Sequence, residues 1–363
     1  MPTLRLAIAG VGNCASSLLQ GLAYYRIHDP ARTAGLLHPD IGGYRLEDLC
    51  PVAAFDVDAR KVGRPLEEAV FAAPNCTAIF QEKLPASGVS VQMGPELDGV
   101  AEHMARHPAE RAFRVATETP VDVARSLRES GADVLVCYLP VGSEQAVRHY
   151  TEACLEAGVA LVNCVPVFIA SDPVWAERFR AARLPIVGDD IKSQVGATIV
   201  HRTLARLLAD RGVALDATYQ LNTGGNTDFL NMLEHERLVS KRVSKTESVQ
   251  SQLDVRLAPE QIHIGPSDYV AWQKDNKVCF IRMEWRGFGD VPMNLELRMS
   301  VEDSPNSAGV AIDAIRCAKL ARDRGLGGPL EAISAFAMKS PPVQMRDVDA
   351  ARLLDAWISS ASP

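Results

Sequence analysis

The segment LRLAIAGVGNCASSLLQ, Leu4 to Gln20, leaves the chain few folding choices. Six residues suited to a buried strand run into closely spaced glycines, and helix formers follow at once. Gly10, Gly12 and Ala15 fit the G-x-G-x-x-G/A pattern between a strand and a helix. The first glycine permits a tight turn, and the second lets backbone approach a pyrophosphate. The small third residue lets the helix pack against the sheet. The helix start then presents N–H groups to phosphate.

The continuation keeps to the same plan. VAAFDVD is a second buried strand, ending in Asp56 and Asp58, where a carboxylate can accept the ribose hydroxyls of an adenosine or cap a helix. An acid there favours NAD over NADP. It arrives later than the usual ~20 residues, because Pro30 to Cys50 is inserted, with LLHPDIGGY as loop. ADVLVCYLPVGSEQAVRHYTEACLEAG reads as strand, loop, helix and terminal Gly158, and VALVNCVPVFIA and LPIVGDD are the next strands. Continuous apolar strands alternating with helices imply a parallel sheet covered on both faces. Ligands bind beyond the carboxyl ends of such strands. That puts YLPVGSE, NCVPVF and GDDIKSQVGAT on one rim.

After Arg211 the period changes. In VPMNLELRMSV, Met293, Leu295, Leu297, Met299 and Val301 share one face, and KVCFIRMEW alternates likewise, with turn signals at KDN and RGFGD. The chain then returns to helix, with Ser304 to Ser307 as caps and a stop at Gly325. The expected fold is α/β. A Rossmann-like doubly wound parallel sheet (1–197, completed by 303–363) carries an inserted α+β domain (198–302) built on a largely antiparallel sheet. At 363 residues, two domains fit the length.

Composition narrows the partners. Net charge is −7 without a basic block, which argues against nucleic acid, and no apolar run nears the ~20 residues of a membrane span. The eight cysteines form no close C-x-x-C pair and mostly sit in apolar runs, as buried free thiols of a reducing cytoplasm do.

Several polar clusters admit both a bland and a chemical reading. LNTGGNTDFLNM, Leu221 to Met232, is a plain loop or a polyol-binding junction. Asp189, Asp190, Lys192 and Ser193 precede a helix, as a capped start or an anion cradle. Lys241 and Lys245, at i,i+4, form a solvated basic face or a pair whose like charges depress each other's pKa toward proton-accepting range. Lys277, Lys339 and Asp303 have ordinary roles available as strand, loop and cap residues.

Taken in order, GVGNCASS, LPVGSE, GDDIKSQVGAT, LNTGGNTDFLNM, SKRVSKT, DNKVCF, RGFGDVPMNLEL, DSPNSAG and MKSPP resemble myo-inositol-1-phosphate synthase of the bacterial and archaeal type over nearly the whole chain. The resemblance implies a homotetrameric cytoplasmic isomerase at the start of inositol and inositol-phospholipid synthesis. It would retain NAD and cyclise D-glucose 6-phosphate by oxidation at carbon 5, enolisation, aldol closure and re-reduction. It further implies Lys241, Lys245, Lys277, Lys339 and Asp190 as the catalytic set, with Lys241 for proton transfer at carbon 5. Gly10, Gly12, Asn13, Cys14, Asp56, Tyr150, Ser193, Asp228, Lys241 and Asp303 would hold the cofactor. Ser193, Asn222, Asn226, Asp228 and Lys245 would hold the sugar phosphate. Asp303 and Ser304 would be the place for a divalent or monovalent cation. The eukaryotic double-glycine loop is replaced here by GVGNCA. An ordinary NAD-dependent dehydrogenase and an NAD-sensing protein are the competing readings; only the first would release NADH.

Overall fold

The computed structural model describes residues 3–28 and 34–360; of the inserted stretch, residues 30–33 lie outside the described residues. The strands are β1 (Leu4–Ala9), β2 (Leu49–Asp56), β3 (Gln92–Met93), β4 (Val134–Cys137), β5 (Ala160–Asn163), β6 (Pro185–Val187), β7 (Ala214–Gly224), β8 (Ile262–Tyr269), β9 (Asn276–Arg286), β10 (Pro292–Glu302) and β11 (Gly328–Pro329). The helices are α1 (Asn13–Ile27), α2 (Leu66–Ala69), α3 (Val123–Ser130), α4 (Glu144–Ala157), α5 (Pro173–Ala181), α6 (Ala197–Asp210), α7 (Thr227–Asn231), α8 (Val239–Gln250), α9 (Asp303–Asp323), α10 (Glu331–Ala337) and α11 (Asp347–Ser359).

Seven strands form a parallel sheet in the order β11-β6-β5-β4-β1-β2-β3, reversing direction of growth at β1 and β4 as in a Rossmann fold. Alternation along β1 explains why helices cover both faces. Leu4, Leu6 and Ile8 enter one core with residues of α1 and α9, while Ala7 and Ala9 enter the other with residues of α3, α4 and α5. Gly10, at φ +91°, makes the turn after β1; a Cβ there would lie 2.8 Å from the carbonyl oxygen of Tyr138. No L side chain fits that approach, so the turn needs glycine.

The second sheet runs β10-β9-β7-β8, with antiparallel pairings except for the parallel β7–β8 pair. One face packs Ile262, Ile264, Cys279, Ile281 and Met283 against Ala205 of α6 and Val249 of α8. Leu297 and Met299 of the expected apolar stripe join this core, whereas Met293 is 44% exposed.

Two local expectations give way to tertiary contacts. α9 begins at Asp303 rather than after Ser304–Ser307, and its cap comes from elsewhere: Asp275 accepts from the Asp303 and Ser304 N–H groups with its carbonyl and carboxylate oxygens. The helix after LNTGG is short. Asn226 caps it by accepting from the Phe229 N–H, so Asp228 is not the cap. All eight cysteines are free, and five of them are buried.

Candidate active site

A large cavity, open to solvent, lies beyond the carboxyl ends of the parallel strands. Its rim includes Tyr138–Val141, Cys164–Pro166, Asp190 and Ser193, as the strand pattern predicted. The second sheet's side contributes Gln220, Asn226, Asp228, Lys241, Lys245 and Lys277, and the returning chain contributes Asp303, Ser304 and Lys339.

The lysines are differentiated by their partners. Lys241 Nζ donates to Asp228 Oδ2 at 2.9 Å, Lys277 Nζ to Asp303 Oδ1 at 2.8 Å, and Lys339 Nζ to Asp190 Oδ1 at 2.8 Å. Lys245 is 4% exposed and, among the described residues, no carboxylate pairs with it. Burial works against charge on Lys241, but Asp228, Asp190 and Asp303 outweigh it and hold that ammonium above the usual lysine range. For Lys339 burial outweighs Asp190, leaving it below the usual range. Burial, reinforced by Lys241, Lys277 and Lys339, pushes Lys245 well below that range. The expected mutual depression of Lys241 and Lys245 therefore falls on Lys245 alone.

Helix geometry makes this possible. Lys241 and Lys245 stand one turn apart on α8, and Ser244 between them donates its hydroxyl to Asp190 Oδ2 at 2.6 Å. Ser244 thus orients the carboxylate that holds Lys339. Sequence reading passed over it, although its spacing of three from Lys241 places it on the same face. Asp228 also accepts from the Val141 N–H at 3.2 Å, linking Lys241 to the loop after β4.

Two uncapped helix starts face the cavity. α1 has no side-chain cap, Asn13 and Cys14 line the wall, and nothing lies within 4 Å of where a Cβ on Gly12 would stand. α6 also lacks a side-chain cap; Gly196, Ala197 and Thr198 line the cavity beside Ser193. Such N–H groups suit anions. These features fit a dinucleotide pyrophosphate at one start and a phosphate at the other.

Other expected residues either stand back from the cavity or line it with their polar atoms already engaged by protein partners. Asp56 accepts from the N–H groups of Val11, Val57 and Asp58, and buried Lys61 donates to the Val11 carbonyl, so this pair organises the glycine loop from behind. Asp58 is buried against Arg60. Tyr150 packs beneath on Phe55, and Asn222 donates to the Gly265 carbonyl within the second sheet. Asn226 is spent on its cap and on Asp275. Asp189 accepts from Ile169, Ala170 and Ser171, and Lys192 is buried against Ala335 and Asp347, so neither joins an anion cradle. Asp303 is occupied by Lys277, and Ser304 by Asp275. That donor set, already matched with ammonium and hydroxyl groups, fits a cation poorly. Among the described residues no group of three or more histidine, cysteine or acidic side chains gathers as a metal would need, and no helix is long and apolar enough to cross a membrane.

The chain resembles known proteins along its length. The family profile described as Myo-inositol-1-phosphate synthase matches residues 196–304. The inositol-3-phosphate synthase of Mycolicibacterium smegmatis is 56% identical over 360 residues, covering 98% of each chain. That of Mycobacterium tuberculosis is 55% identical, over 98% of this chain and 95% of the relative. The crystal structure of a myo-inositol-1-phosphate synthase-related protein from Thermotoga maritima superposes with a TM-score of 0.80 at 23% identity, over 99% and 100% of the two chains, a likeness of fold.

Proposed function

The chain belongs to the myo-inositol-1-phosphate synthase family and is an enzyme that converts glucose 6-phosphate to an inositol phosphate; from that premise we propose how its cavity does so. One observation carries the reading: three lysines, each matched with an aspartate, line the cavity with a fourth that, among the described residues, no carboxylate pairs with. Cyclising an open-chain sugar phosphate needs both a proton acceptor and fixed positive charge, and this arrangement provides both.

NAD is the cofactor of this reading. Gly12, Asn13, Cys14 and the start of α1 would hold its pyrophosphate. When bound, NAD would supply the hydride acceptor, and after ring closure the hydride donor, for carbon 5 of the sugar. Ser193 and the start of α6 would bind the substrate phosphate. Lys245, whose amine is the most easily deprotonated of the cluster, takes the hydroxyl proton at carbon 5. Lys241, held protonated by Asp228, is better suited to donate than to accept, which moves the first proton transfer one helical turn from the residue expected. The ketone then acidifies carbon 6, whose proton passes to the phosphate dianion that the substrate itself carries on that carbon. Lys277 and Lys339, positioned by Asp303 and Asp190, stabilise the enolate and the alkoxide left when carbon 6 attacks the aldehyde at carbon 1. No step runs through a metal ion.

The same reading treats residues 198–302 as a catalytic and assembly unit inserted between 1–197 and 303–363. The second sheet, built only from strands between Ala214 and Glu302, supports it. Assembly is proposed as a homotetramer, supported by the unpaired outer edge of β10 and by Phe280, 41% exposed. Free thiols suit work in a reducing cytoplasm.

The test is incubation with glucose 6-phosphate and NAD far below stoichiometric amounts, followed by phosphorus NMR. Full conversion to inositol phosphate without net NADH is expected. Consumption of one NAD per product would favour the dehydrogenase reading instead.

A further inference from the structure

Arg202 has no part in the chemistry above, yet it is a fully buried charge at the back of the site. It projects from α6, whose first turn lines the cavity. Its Nε donates to Asp347 Oδ2 at 3.1 Å, and its Nη2 to the Met345 carbonyl at 2.9 Å. Its Nη1 reaches the carbonyl and hydroxyl of Ser248, at 3.0 and 2.9 Å, and Gln344 Oε1 at 3.2 Å.

These partners lead to the lysines. Ser248 follows Lys245 by three residues on α8, so the two are neighbours on one helix face. Gln344 Nε2 donates to the main-chain carbonyl of Lys339 at 2.7 Å. One guanidinium therefore ties the helical turn after Lys245 to the backbone that carries Lys339. A buried charge is a poor way to gain stability, since apolar residues of similar volume often do as well. A rigid planar fork, by contrast, fixes three elements at once in a way an aliphatic side chain cannot. Lys192 lies in the same cluster on Asp347, and burial, and then Arg202, push its pKa down to about 7.

We infer that Arg202, acting through Gln344, is a positioning residue that sets the separation of Lys339 from Lys245 across the substrate cavity. This rests on the roles proposed for those two lysines. Neither lysine touches Arg202 itself, so the effect is on geometry: a displacement of ~1 Å at a reacting group can lower turnover by about 10²-fold.

Three variants separate positioning from simple stability. Gln344→Glu keeps an acceptor for Arg202 and gives up the donor to the Lys339 carbonyl. Gln344→Leu gives up both contacts, and the one from the Ser251 hydroxyl, without adding charge, and Arg202→Lys keeps the charge and loses the fork. With glucose 6-phosphate and NAD, each should show kcat lowered by about 10²-fold with KM little changed. Both Gln344 variants should melt close to wild type. Wild-type turnover in Gln344→Leu would overturn the inference, as would kcat values that merely follow the loss of stability across the three. A wild-type enzyme that makes no inositol phosphate would overturn the functional reading itself, and this inference with it.

Discussion

Replacing Asp228 by Asn tests the site with an isosteric change. The carboxylate accepts from two donors on its two oxygens: Lys241 Nζ on Oδ2 at 2.9 Å, and the Val141 N–H on Oδ1 at 3.2 Å. An amide offers one acceptor oxygen, so in either orientation one donor faces an NH₂ group. If Lys241 loses its acceptor, a charge-assisted bond of about 1.5–3 kcal/mol goes with it, which is roughly 10- to 100-fold in rate if the contact persists to the transition state. If Val141 loses instead, the loop after β4 is released and the same carboxylate charge is still gone. That charge, after burial is set against it, is the first of those holding the Lys241 ammonium above the usual range, so its removal also lowers the pH at which Lys241 stays protonated. Because Asn226 and not Asp228 caps α7, folding should suffer little, by about 1 kcal/mol. The assay is the initial rate of inositol phosphate formation at saturating glucose 6-phosphate and NAD, across pH, alongside denaturant unfolding. A variant that folds like wild type and turns over within twofold of it (~0.4 kcal/mol) would refute the role of Asp228 and the case for the LNTGGNTDF segment as part of the site.

The other expectations are briefer. Lys277→Ala and Lys339→Ala each remove a cation aimed at a developing oxyanion and should lower kcat by roughly 10²–10³-fold, with NAD binding by calorimetry retained. Lys245→Met should abolish turnover but raise stability at neutral pH. The folded pKa of Lys245 lies well below the unfolded value of about 10.4, so between the two the unfolded chain holds a proton the folded chain lacks, and native stability rises with pH there. The gain from Met should be largest below that window and fade as pH climbs toward the unfolded value, in denaturant melts at several pH values. Light scattering at micromolar concentration should report a tetramer; a monomer would contradict the proposed assembly.

Short-range pattern was enough to settle the frame of this protein. A strand, a turn that only glycine can make and a small third residue specify a βα unit through local sterics, and Gly10 against Tyr138 shows why the turn tolerates nothing larger. Apolar runs that repeat between helices specify the parallel sheet, because both its faces must be covered. Alternation in VPMNLELRMSV sets which side of β10 is apolar, since successive side chains point to opposite faces. The order of the polar motifs carried the family resemblance.

Electrostatic roles were decided elsewhere. The partners that divide the lysines lie 13, 26 and 149 residues away from them, and no periodicity encodes such distances. Lys192 and Lys339 both follow apolar runs, yet one turns into a buried cluster and the other reaches the cavity. Asp56 looked like a ribose ligand and organises the glycine loop; Asp275 looked like a turn residue and caps α9 from across the chain. A pKa depends on solvent exclusion and on every charge within a few ångströms, and both exist only once the sheets have packed. Lys245 is the clearest instance: on α8 it is the twin of Lys241, yet in the folded chain burial and the neighbouring lysines outweigh Asp190 and push it well below the usual lysine range.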